Sequence, residues 1–89
     1  MVTMFIRHSV TDFAKWKQVY DGLGAMQQSL GVKGNAVYCA ADNANDVTVT
    51  HDFGSLAEAQ AFAGSEQLHT AMAQAGVAGA PTVWFTTKV

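Results

Sequence analysis

Asp46-Val47-Thr48-Val49-Thr50-His51-Asp52-Phe53-Gly54-Ser55-Leu56-Ala57-Glu58 decides the fold, because in it a strand runs directly into a capped helix. Val47, Val49, His51 and Phe53 alternate with Thr48, Thr50 and Asp52. That two-residue period belongs to a sheet with one buried face, and it fixes the register of strand three, Asp46 to Phe53. Ser55 and Glu58 then form a capping box in which each satisfies an amide left open at the helix start. On the N-terminal side, Asp42-Asn43-Ala44-Asn45 has turn chemistry. Lys33 to Ala41 before it reads as strand two, so strands two and three form a hairpin.

Beyond Glu58 the second helix is interrupted at Gly64-Ser65. Ser65 recaps a further helical piece through Ala75, with Leu68, Met72 and Ala75 on one side. Gly76 to Pro81 reads as a connector, and Thr82 to Val89, containing Trp84 and Phe85, as strand four. Upstream of the hairpin, Val2 to Val10 is strand one, with Val2, Met4, Ile6, His8 and Val10 on one face. Thr11 or Asp12 caps a long helix whose apolar stripe is Phe13, Trp16, Tyr20, Leu23 and Leu30 and whose stop is Gly31. Gly22 and Gly24 weaken its middle by roughly 1 kcal/mol each relative to alanine.

The resulting order, strand, helix, strand, strand, helix, strand, is that of a ferredoxin-like α+β fold, with helices on one face of a four-stranded sheet. Residues 1–89 leave room for a single domain. Both faces of strands one, two and four carry apolar residues: Phe5 as well as Met4 and Ile6, Tyr38 as well as Val37, Trp84 as well as Phe85. The face without helices is therefore expected to pack on a second copy as a homodimer. Hydrophobic residues make up 49% of the chain and charged residues 13%, which suits such burial.

The formal charge of −2 and five scattered basic residues offer no stripe to follow a phosphate backbone, so nucleic acid is not an expected partner. No apolar run approaches the roughly 20 residues that span a bilayer, and the first residues lack the pattern of a signal peptide. One cysteine, Cys39, allows no internal disulfide, and a reducing cytoplasm is the expected location. With no basic neighbour in sequence, Cys39 reads as a small buried hydrophobe.

Three histidines are the candidate catalytic residues. His8 shares a strand face with Met4 and Ile6, where it reads either as a general base or as a core histidine satisfied by a backbone carbonyl or Asp12. His51 has the same character on strand three. His69, at the edge of the second helix's stripe, either leans over a pocket or faces water. The three lie far apart and show no zinc-ligand spacing, so no metal is expected unless the fold brings them together. Trp16, Tyr20, Tyr38 and Trp84 are amphipathic aromatics that suit either a pocket for a flat aromatic ligand or an ordinary core. Asn35 is a candidate for binding a ligand oxygen, with a turn or edge role as the alternative, and Arg7 reads as a rim or interface residue. Serine-triad spacing, phosphate-binding glycine loops and dinucleotide fingerprints are all absent, so no cofactor is implied.

The segment His8-Ser9-Val10-Thr11-Asp12-Phe13-Ala14-Lys15-Trp16-Lys17-Gln18-Val19-Tyr20-Asp21, with Phe53 to Ala63 further on, resembles the small bacterial dimeric α+β barrel proteins. These are related to the antibiotic biosynthesis monooxygenases and are also labelled cyclases or stress-responsive barrel proteins. The resemblance implies oxygenation of polyphenolic or anthrone-like substrates without flavin, haem or metal. A base would deprotonate the substrate and the anion would pass an electron to oxygen. His8 is the expected base, and Asn35, Trp16 or Tyr38 the donors to the developing oxyanion. Redox-neutral cyclisation, isomerisation or lysis, and binding of an aromatic metabolite without catalysis, use the same pocket. Haem-degrading relatives pair a helix histidine, which His69 could match, with a first-strand asparagine that this chain lacks.

Overall fold

The computed structural model describes residues 1–89. Its elements are β1 (Val2–Val10), α1 (Phe13–Asp21), α2 (Gly24–Ser29), β2 (Gly34–Ala40), β3 (Asn43–Phe53), α3 (Leu56–Ala63), α4 (Glu66–Gln74) and β4 (Val77–Thr87). The four strands form one sheet in the order β2-β3-β1-β4, every neighbouring pair antiparallel. This is the expected ferredoxin-like α+β arrangement. No helix is long and apolar enough to cross a membrane.

The helix caps follow the local chemistry of the sequence. Asp12 caps α1 by accepting from the Lys15 amide, Ser55 caps α3 by accepting from the Glu58 amide, and Ser65 caps α4 by accepting from the Leu68 amide. The Ser55 hydroxyl also donates to the Glu58 carboxylate. Gly31, at φ +93°, takes the left-handed conformation that ends the first helical region.

Three boundaries differ from the sequence reading. The long first helix is two helices. The Gly22 and Leu23 amides reach back only three residues, to Val19 and Tyr20, and the helix restarts at Gly24. Two glycines so close together weaken the helix enough for the chain to turn there. The hairpin turn is confined to Ala41 and Asp42, since Asn43, Ala44 and Asn45 already belong to β3. Their polar side chains are used locally: Asn43 Oδ1 accepts from the Asn45 amide, and Asn45 Oδ1 accepts from the Phe13 amide at the start of α1. The expected connector Gly76 to Pro81 is largely strand. Arg7 pairs with Thr82 and Ser9 with Ala78, so β4 bulges there, with Gly79 at φ +74°. The bulge, on an edge strand, accommodates a proline that cannot donate to the ladder.

The helices cover the face of β1 and β3 that carries Met4, Ile6, His8, Val10, Val47, Val49, His51 and Phe53, all buried. The interior divides into two apolar clusters. One contains Met4, Ile6, Phe53, Ala59, Phe62 and Leu68, and the other Val10, Trp16, Val47, Val49 and Ala75. The opposite face carries a stacked Phe5–Trp84 pair, the Arg7–Asp46 ion pair and Tyr38. Trp84 is 39% exposed and Tyr38 58% exposed on it. Cys39, expected to be buried, is exposed on the outermost strand β2.

Candidate functional site

A small cavity lies where the two apolar clusters meet. It has a volume of about 30 Å³, room for a water or two. The Ile6–Val49 cross-strand pair contributes to its wall, with Leu68, Ala71, Met72 and Ala75 from the second helical region. Trp16, Tyr20, Leu23 and Gln27 come from the first helical region, and His8 and His51 from the sheet.

Sheet register sets the spacing of the two histidines. His8 pairs with Val47 and His51 with Met4, so they occupy one face of adjacent strands, offset by four residues. At about 3.3 Å per residue the offset is about 13 Å, with Ile6 and Val49 between them. Trp16 and Tyr20, four apart on α1 and therefore on one helix face, span that gap. The Trp16 ring lies 5.6 Å from His8 and 4.9 Å from Tyr20, and Tyr20 lies 6.1 Å from His51. His8, Trp16, Tyr20 and His51 thus form an aromatic arc along the cavity.

Both imidazoles are desolvated, with His8 7% exposed and His51 2% exposed. Burial lowers the pKa of each, that of His51 to about 4, so both are neutral near pH 7. The Nδ1 atom of each is buried without a hydrogen-bond partner. Nearly all buried polar atoms are paired, so these two call for a partner beyond the protein's own side chains, a water or a polar ligand group. The Tyr20 hydroxyl is 3.1 Å from His51 Nε2. Burial raises the Tyr20 pKa, and a hydrogen bond with the Gln27 side chain opposes the rise. The Asn35 amide nitrogen donates to Gln27 Oε1 at 2.8 Å.

Of the eight residues singled out in the sequence, the fold brings His8, His51, Trp16 and Tyr20 into this cavity. Asn35 lies outside it, on β2, and reaches it only through Gln27. His69 is exposed, its Nε2 3.2 Å from the Ala63 carbonyl. Tyr38 and Trp84 sit on the far face of the sheet, because Tyr38 pairs with Thr48 and Trp84 with Phe5, both of that face. The cavity thus holds four of the eight, with Asn35 behind it. Gln27 was missed as a polar residue, although it continues the stripe Trp16, Tyr20, Leu23 at the next helical step. A glutamine in an apolar stripe was the available signal. His, Cys, Asp and Glu side chains nowhere gather in a group of three that could hold a metal ion.

No family model matches the chain, and no curated protein matches it. Solved structures do. A Bordetella bronchiseptica protein assigned to the antibiotic biosynthesis monooxygenases superposes with a TM-score of 0.86 at 15% identity, covering 99% of this chain and 96% of its own. SnoaB, a cofactor-independent oxygenase from Streptomyces nogalater, gives 0.75 at 12% identity, covering 99% and 94%. Rv0793 from Mycobacterium tuberculosis gives 0.72 at 15% identity, covering 99% and 94%. The chain has the fold of the antibiotic biosynthesis monooxygenases, as the resemblance in its sequence implies.

Proposed function

We propose that this chain is an enzyme that oxygenates an aromatic small molecule of the hydroxylated anthrone type without a cofactor, working as a homodimer. The observation that carries this reading is the pair of neutral, desolvated imidazoles, each with an unpartnered Nδ1, on one aromatic-lined cavity. An apolar site with a few placed polar groups suits a flat aromatic ligand. SnoaB supplies the analogy of a cofactor-independent oxygenase on this fold.

In this reading His8 removes a proton from the activated methylene, as a base with a pKa near or below neutrality does. The carbanion gives one electron to molecular oxygen, and the resulting substrate radical and superoxide combine to a peroxide. Loss of water leaves a carbonyl, so a methylene and one dioxygen become a ketone and one water. Trp16 and Tyr20 hold the ring system. An anthrone exceeds the present cavity, so binding displaces part of its wall. The sheet face that carries the exposed Trp84 and Tyr38 beside the half-buried Phe5 supports the homodimer, since it is an apolar surface without a partner.

Incubation with a hydroxylated anthrone under isotopically labelled molecular oxygen tests the reading. One labelled oxygen atom is expected in the new carbonyl. Product without label would point instead to redox-neutral chemistry, and unchanged anthrone to binding alone.

A further inference from the structure

We infer that Leu23 is the door of the His8–His51 cavity, and that when its side chain swings aside the cavity joins the groove between α2 and α4 as one binding site. The ligand named for that site, a hydroxylated anthrone, rests on the oxygenase reading above, whereas the door itself is a property of the ligand-free protein.

The cavity comes nearest the surface along one seam. Of its lining residues Tyr20, Leu23 and Met72 are half-buried and the others buried. Tyr20 and Leu23 belong to the first helical region and Met72 to α4, so the seam runs between those two. Outside it lies a groove of about 530 Å³, with Met26 on the α2 side and Glu66, Gln67, Thr70 and Gln74 on the α4 side. Leu23 and Ala71 line both the groove and the cavity. A residue that faces a hollow on each side is the wall between them. Ala71 has only a methyl group there, so the removable bulk of that wall is the Leu23 side chain.

Its surroundings leave that side chain free to move. Leu23 sits where the first helical region breaks, between Gly22 and Gly24, neither of which has a side chain to crowd it. A methyl group placed on Gly24 would meet nothing within 4 Å. A half-exposed leucine in that setting can change between staggered rotamers without moving the backbone. Other thin places in the wall are braced. Gln27 also lines a polar cleft beside Lys33 and Asn35, but it is buried and accepts from the Asn35 amide at 2.8 Å. His8 also lines a cleft beside the β4 bulge, but it is buried and its strand is paired with β3.

Size gives the groove its use. Small-molecule sites run to about 300–1,000 Å³. The cavity, at about 30 Å³, is far below that range, and the cavity joined to the groove is within it. The flat ring system then reaches the imidazoles through the seam. Its hydroxylated edge stays among Gln67, Thr70 and Gln74, side chains that hydrogen-bond without charge.

Acrylamide quenching of Trp16 fluorescence tests the door in ligand-free protein, because Trp16 is a buried part of the cavity wall. Trp84→Phe removes the other tryptophan, which is on the far face of the sheet. In that background Leu23→Ala is expected to raise the quenching rate constant several-fold, and Leu23→Phe to leave it at or below the wild-type value. Gln27→Ala, which opens the polar cleft instead, is expected to raise it less. A constant unchanged in Leu23→Ala, or raised as much by Gln27→Ala, would overturn the inference. Stopped-flow binding of a hydroxylated anthrone in the absence of oxygen separates the door from the oxygenase reading, with faster association expected for Leu23→Ala and slower for Leu23→Phe. An anthrone that is oxygenated, yet associates at the wild-type rate with both variants, would remove the door and leave the oxygenase reading standing. Leu23-dependent quenching in a protein that binds no anthrone would support the door and remove the oxygenase reading.

Discussion

Replacing His8 with alanine is expected to lower turnover of a hydroxylated anthrone by about 10²–10⁴-fold, the range that a positioned general base contributes. His8 is buried at one end of the cavity, edge-on to Trp16, and burial keeps it neutral and able to accept a proton near pH 7. Removing it leaves the apolar walls and the His51 end in place. Substrate binding should therefore weaken much less than turnover, giving a drop in kcat with a small change in KM. Circular dichroism of the variant would verify that the sheet is intact. Added imidazole, which fits the space vacated, should restore part of the lost rate. His69→Ala is the control: an exposed residue away from the cavity should leave the rate unchanged. Equal turnover by wild type and the His8 variant would remove His8 from the mechanism.

Acidification is the second large expected effect, and it acts on stability. His51 titrates near 4 when folded against an ordinary 6.5, because burial disfavours its charged form. The unfolded chain thus takes up the proton first. Stability is whole above about pH 6.5 and declines as pH falls toward about 4, and the gap between those values corresponds to about 3 kcal/mol. His8, lowered by burial as well, contributes in the same direction. Urea midpoints measured at about pH 7 and about pH 4.5 should show the loss. His51→Gln should flatten the slope in that interval, whereas a flat profile in wild type would mean that water reaches the imidazole.

Much of the fold was legible in local chemistry. The alternation in β3, the Ser55 and Ser65 caps and the Gly31 stop are short-range signals, and each appears in the structure where the sequence put it. The boundaries that moved depended on partners distant in sequence. Pro81 looks like a strand breaker until its edge position opposite β1 and the bulge at Gly79 are known. Gly22 and Gly24 were visible as weak points, but whether a helix bends or breaks depends on the packing beneath it.

The site was half legible for the same reason. His8 and His51 stood out as polar residues on apolar strand faces, and sheet register places them on one face. Tyr38 and Trp84 share the chemistry of Trp16 and Tyr20 but face the other side of the sheet, which residue type alone does not reveal. Gln27 was hidden by the opposite effect: a polar side chain in a helical stripe reads as surface until its partner, Asn35, is seen.

Histidine side-chain resonances followed during titration with a hydroxylated anthrone test most directly whether the His8–His51 cavity is where an aromatic ligand binds. His8 and His51 are expected to shift together and saturably, with His69 unmoved. Saturable binding that moves His69, or neither cavity histidine, would contradict it.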